Sequence, residues 1–164
     1  MTTGGCGPSG LGYSGGIMRT LELADWLGPN CAGPVELRVP ADAEQLVLVR
    51  AIAHAVAVRE RFGADEVTDI TVAVDEACTS LIEGSVPGAL LTCRLTVSFG
   101  TLRVAVSATT SGGGVPSPRS FGWRVLDTIT DSVSAWRYES DPQRGTDRVV
   151  HIDFAKQFAR RPGR

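Results

Sequence analysis

Glu76 and Ser80 stand one helical turn apart in the stretch 67–83, VTDITVAVDEACTSLIE. Side chains at i and i+4 share a helix face, so a carboxylate and a hydroxyl project the same way. A carboxylate can accept or orient a proton, and an oxygen one turn later can ligate a hard cation. That pairing suits nucleotide chemistry. Val67, Ile70, Val74, Ala77 and Leu81 recur at helical spacing and mark a buried stripe. The pair lies on its flank, where a helix edge borders a pocket.

The rest of the chain must place that helix. Residues 35–39 (VELRV) alternate and read as a strand ended by Pro40. Asp42 caps a following helix, with Gln45 three residues on completing a box; Leu46, Val49, Ala53 and Val56 form its inner face, and Phe62-Gly63 close it. Gly84, as a left-handed cap, ends the helix of Glu76. Leu91, Cys93, Leu95, Val97 and Phe99 alternate with polar residues, Gly100 turns the chain, and Leu102, Val104 and Val106 alternate on the return, which predicts a hairpin over 90–107. A loop over 109–118 carries Gly112-Gly113-Gly114. A third helix starts at Ser120 with Phe121, Val125, Leu126 and Ile129 inward, and strands near 133–138 and 148–154 finish the domain. The order β-α-α-β-β-loop-α-β-β predicts an α+β two-layer sandwich, with helices on one face of a mostly antiparallel mixed sheet.

Composition narrows the function. The 164 residues suffice for one domain with a core. A net charge of −2 argues against a nucleic-acid surface, and no apolar run is long enough to span a bilayer. Residues 1–33, rich in glycine, read as a disordered leader in which Met18 is a candidate start; 34–156 read as the domain, and 157–164 as a basic tail that extends the solvated end beginning at Lys156. Cys6, Cys31, Cys78 and Cys93 form no CxxC pair. With only His54 and His151 to help, they read as free thiols of a reducing cytoplasm, not as a zinc site. No Ser/His/Asp arrangement can be drawn from these two histidines. Trp123 and Trp136 read as packing residues, and Asp75 as an ordinary surface carboxylate.

The blocks 40–46 (PADAEQL), 73–79 (AVDEACT), 120–126 (SFGWRVL) and Gly145-Thr146 carry a resemblance. They are similar to the ATP-binding domain shared by gyrase, the Hsp90 chaperone, histidine kinases and MutL, the Bergerat or GHKL fold. More narrowly, residues 35–155 resemble the RsbW/SpoIIAB anti-sigma serine kinases, above all the actinobacterial RsbW-like proteins that restrain a stress sigma factor. The resemblance implies ATP and magnesium as cofactors and Glu76 as the base or water-orienting group. It implies Ser80 at the metal-binding position, and a nucleotide held by Ser80, Thr109, Thr110, Gly112, Gly114, Gly122 and Thr146. It also implies an alternative sigma factor and a STAS-type anti-anti-sigma protein as partners, a homodimer paired through a face of the domain, and no direct contact with nucleic acid or membrane.

Three departures bear on the chemistry. Ser80 stands where the family has asparagine, and a hydroxyl is a shorter ligand than an amide carbonyl. The segment 107–114 (SATTSGGG) has no acid where the family's aspartate reads adenine. Losing a charged hydrogen bond costs about 1.5–3 kcal/mol, roughly ten- to a hundredfold in affinity, of which Thr109 or Thr110 recovers part. In 120–126, Gly122 alone keeps the glycine pattern of the family's lid. The expectation is an anti-sigma factor with an intact scaffold and weakened or lost nucleotide binding; the alternatives are an active serine kinase of the anti-anti-sigma factor, or an orphan domain of this fold.

Overall fold

The computed structural model describes residues 33–112, 114–138 and 147–158. The described residues belong to the second of the chain's two units, residues 32–164. The Gly-rich stretch up to residue 32, with Cys6, Met18 and Cys31, lies outside the described residues, as do residues 159–164 of the basic tail.

The second unit runs β1 (Val35–Pro40), a single 3-10 turn (Ala43–Gln45), α1 (Leu46–Arg59), α2 (Ala64–Gly84), β2 (Leu90–Ser98), β3 (Thr101–Ser111), α3 (Phe121–Ile129), β4 (Ser132–Tyr138) and β5 (Asp147–Gln157). This is the order read from the sequence. The strands form one sheet, β1-β2-β3-β5-β4. Every pairing is antiparallel, so the sheet is not mixed.

Period-two patterning makes the sheet two-faced. Leu91, Cys93 and Leu95 of β2, Leu102, Val104 and Val106 of β3, and Val150, Ile152 and Phe154 of β5 are all buried. They meet Val49, Ala53 and Val56 of α1 and the stripe Ile70, Val74, Ala77 and Leu81 of α2 in one core. Each large side chain taken fully into such a core contributes about 1.5–3 kcal/mol. Lys156, on the core side of β5, donates to Asp69 of α2 and to the carbonyl of Ile129 at the end of α3, both at 2.7 Å. All three helices' anchoring contacts therefore fall on one face. The other face carries alternating residues that are mostly exposed or half-buried, among them Glu36, Arg94, Ala105, Asp153 and Ser134.

The segment ends depart from the sequence reading. Asp42 caps the 3-10 turn by accepting from Glu44 N–H at 3.0 Å, not an α-helical box with Gln45. The left-handed residue after α1 is Arg61 at φ 63°, not glycine; Gly63 instead begins α2, where Glu66 accepts from its N–H. Gly84 is the last helical residue and is not left-handed, since α2 ends on extended Ser85, whose Oγ donates to the carbonyl of Leu81 at 2.8 Å. The β2–β3 turn uses two left-handed residues, Phe99 at φ 48° and Gly100 at φ 75°, the combination of a type I′ hairpin. Phe121 is 79% exposed and not inward. Lys156 is not part of a solvated end but the core-side clamp described above.

Candidate functional site

α2 positions Glu76 and Ser80 because its apolar stripe fixes the helix's rotation. Ala73, Ala77, Cys78 and Leu81 point into the core, which leaves Glu76 and Ser80 half-buried on the flank. The first turn of α3 rests on that flank. Ser120 starts it as N-cap, its Oγ accepting from Trp123 N–H at 3.2 Å. A Cβ built at Gly122 would lie 2.7 Å from Glu76 Oε2 and 3.6 Å from Ser80 Oγ, so any side chain here would push the Glu76 carboxylate aside. The Glu76 carboxylate thus stands beside the amino end of α3, the positive end of the helix dipole.

A cavity of about 180 Å³ opens next to this contact. Its lining includes Ser80, Glu83, Thr110, Gly114 and Ser120. Glu76 is not part of the lining; it faces α3. Thr110 is buried, and its Oγ1 donates to the carbonyl of Arg148 at 3.3 Å. β3 runs to Ser111, three residues into the segment read as loop, so Thr109 and Thr110 obey strand alternation and point to opposite faces. Thr109 lines a separate cavity of about 450 Å³ with Ser107 and Val149, and its carbonyl accepts from Val86 N–H at 3.0 Å. Gly112, at φ 59°, is exposed and outside the lining. Of the expected set, the structure brings together Glu76, Ser80, Thr110, Gly114 and Gly122; it leaves Thr109 and Gly112 apart, and Thr146 lies outside the described residues.

The cavity beside the pair is small for a nucleotide. Small-ligand pockets run to about 300–1,000 Å³, and this cavity is about 180 Å³. Magnesium in nucleotide sites keeps several waters and takes one or two protein oxygens beside the phosphates; here the Ser80 hydroxyl and the Glu83 carboxylate line the cavity, while the Glu76 carboxylate packs against α3. Among the described residues no group of three or more His, Cys, Asp or Glu could hold a metal ion. No acidic side chain occurs in 107–112 to read an adenine amino group.

The neighbouring thiols are structural. Cys78 and Cys93 are free and buried. The hydrogen bond between their thiols, then burial, pushes Cys78 well above the usual thiol range, so it stays protonated and unreactive at neutral pH. Asp75 pairs with Arg50 at 3.0 Å on the outer side of the helix layer. Trp136 stacks on His151, ring centroids 5.5 Å apart at 7°. Sequence reading missed the Asp69–Lys156–Ile129 clamp, since no local pattern joins positions so far apart.

Among the described residues no helix is long and apolar enough to cross a membrane. The family described as Histidine kinase-like ATPase domain matches residues 39–147. Over 128 residues the chain is 35% identical to the anti-sigma-F factor RsbW of Mycobacterium tuberculosis H37Rv, covering 78% of this chain and 76% of that one. It is also 35% identical over 49 residues to the serine-protein kinase RsbW of Bacillus cereus AH187, covering 30% and 31%. The crystal structure of the RsbU and RsbW domains of a Mycobacterium tuberculosis protein has a similar fold, with a TM-score of 0.51 at 15% identity over 81% of this chain and 34% of that one. The α+β sandwich, the helix bearing Glu76 and these matches together make the chain a member of the histidine kinase-like ATPase domain family, within its RsbW group.

Proposed function

We propose that this chain is an anti-sigma factor that sequesters an alternative sigma factor of the SigF/SigB kind, and that a STAS-type anti-anti-sigma protein displaces it. It works as a cytoplasmic homodimer without direct contact to DNA. The observation that carries the reading is the 35% identity over 128 residues to an anti-sigma-F factor, on an intact sandwich. Sequestration needs a folded domain and its surfaces, and both remain. Phosphoryl transfer needs a metal and a nucleotide, and the Glu76–Ser80–Gly122 contact leaves little space for either.

The test is calorimetric titration with a SigF/SigB-type sigma factor of the same genome, with and without magnesium-ATP. The expected result is one-site binding that nucleotide changes by less than about twofold. Binding to none of that genome's alternative sigma factors overturns the proposal. The retained Glu76 and the kinase relatives favour a second reading, an ATP-dependent serine kinase of the anti-anti-sigma factor. Phosphotransfer lost in Glu76→Ala while sigma binding persists would establish it.

A further inference from the structure

Phe99 stands where the fold gains nothing from an aromatic ring. It is 91% exposed and holds a left-handed φ of 48°, a conformation that disfavours bulky side chains. Its backbone is held in place, because Phe158 N–H donates to the carbonyl of Gly100 at 2.7 Å and ties the hairpin tip to the end of β5. Phe158 is itself 38% exposed and packs edge-to-face on Phe62, ring centroids 5.6 Å apart. The three rings line a groove of about 1360 Å³ beside the first turn of α2, roughly 22 Å along that helix from Ser80. Small-ligand pockets reach only about 1,000 Å³, so the groove has the size for a protein segment. Its rim sets the carboxylates of Asp65, Glu66 and Asp131 against the guanidinium of Arg61. The other lining cation, Lys156, is committed to Asp69 and the Ile129 carbonyl. Asp65 and Asp131 are exposed, so aromatic walls meet a negative rim.

We infer that this groove receives a segment of the sigma factor that carries lysine or arginine beside an apolar anchor. The inference rests on the anti-sigma reading and adds a surface to it. A protein that binds DNA neutralises phosphates with lysine and arginine, so a sigma factor offers segments of this charge. Here the rim carboxylates take the place of the phosphates, and the apolar anchor enters between Phe99 and Phe158. Complementary charge steers the encounter and fixes the register. Burial of the exposed rings supplies the affinity, as aromatic anchors do in interfaces. A ring on a fixed backbone has little freedom left to lose on binding, which gives the strained position of Phe99 a use. A basic segment seated in the groove cannot reach DNA, so the contact that captures the sigma factor also silences it.

Phe99→Asn makes the test, because it should move folding and binding in opposite directions. An Asn-Gly pair suits the turn, so urea melts should show a fold at least as stable as wild type. Calorimetric affinity of the full chain for a SigF/SigB-type sigma factor of the same genome should nevertheless fall at least about tenfold. Damage to the fold would lower both. Asp65→Lys should weaken binding about tenfold at about 50 mM salt and less than about threefold at about 500 mM, where charge is screened. Benzoylphenylalanine placed at position 99 and irradiated in the complex should crosslink to a sigma segment in which Lys and Arg outnumber Asp and Glu. Crosslinks confined to acidic segments, or affinities of both variants within about twofold of wild type, overturn the groove and leave the anti-sigma reading standing. A Phe99→Asn chain that self-associates more weakly in sedimentation equilibrium while its sigma affinity holds makes a second copy the occupant, and overturns the groove as well. A wild type that binds none of its genome's alternative sigma factors overturns both readings.

Discussion

The close approach of α3 to Glu76 sets up a double-mutant cycle. Replacing glycine by alanine within a helix contributes about 0.5–1 kcal/mol by restricting the unfolded chain and improving propensity. At Gly122 the new methyl would sit 2.7 Å from Glu76 Oε2. The clash is with the tip of a flexible side chain, so the carboxylate swings aside. It then loses its place at the amino end of α3, worth about 0.3–1 kcal/mol. Gain and loss cancel, and Gly122→Ala alone should change stability by less than about 0.5 kcal/mol. In a Glu76→Ala background the nearest remaining atom is Ser80 Oγ at 3.6 Å, an ordinary contact, and the full gain of about 0.5–1 kcal/mol should appear. The coupling between the two sites is then about 0.5–1 kcal/mol. With a urea m-value of about 2 kcal/mol/M, the midpoint should rise by roughly 0.4 M in the Glu76→Ala background and stay nearly unmoved in wild type. Glu76→Gln, which keeps the shape but not the charge, has little dipole energy to lose, so Gly122→Ala should show most of the gain there as well. An equal effect of Gly122→Ala in all three backgrounds would refute the contact.

Three further outcomes follow from the packing. Asp153 ionises near 6 when folded and near the usual value of about 3.9 when unfolded. Between these values the folded state holds the extra proton, so the stability of a lone protomer should fall as pH rises from about 4 to about 6, by at most about 3 kcal/mol and by less once solvent screening of this partly exposed group is counted. Tryptophan fluorescence at sub-micromolar concentration should show this, and Asp153→Asn should flatten it. Phe99 is 91% exposed at φ 48°; Phe99→Asn supplies the Asn-Gly pair that type I′ turns favour and should raise stability by about 0.5–1 kcal/mol in urea melts. Lys156→Ala strands the Asp69 carboxylate and the Ile129 carbonyl; a loss of about 2 kcal/mol is expected, visible as a drop in melting temperature of several degrees.

The strands were legible because period-two alternation is a local signal. Leu91, Cys93 and Leu95 announce a buried face whatever they pair with, and Val67, Ile70 and Val74 do the same for a helix. Capping was less legible, because tertiary contacts choose among nearly equal local options. Phe62 is buried, which holds the turn after α1 and puts Arg61, not the nearby glycine, in the left-handed position. Thr109 illustrates the limit at the site. The composition of 109–118 reads as loop, yet β5 supplies partners as far as Ser111, and the ladder then assigns each side chain its face. The Glu76–Gly122 approach joins residues far apart in the chain, and only the missing Cβ at position 122 hints at it.

The ammonium group at position 156 has a mechanical consequence. It holds the carboxyl end of α3 against α2, while the other end touches α2 through Gly122, beside the flexible tip of Glu76. A nine-residue helix is about 13 Å long. Anchored at one end, it acts as a lever whose free tip travels about 2 Å for every ten degrees of tilt. Widening the space beside Ser80 then follows a rotation about the anchored end, and Leu126, the buried residue of α3, moves with it.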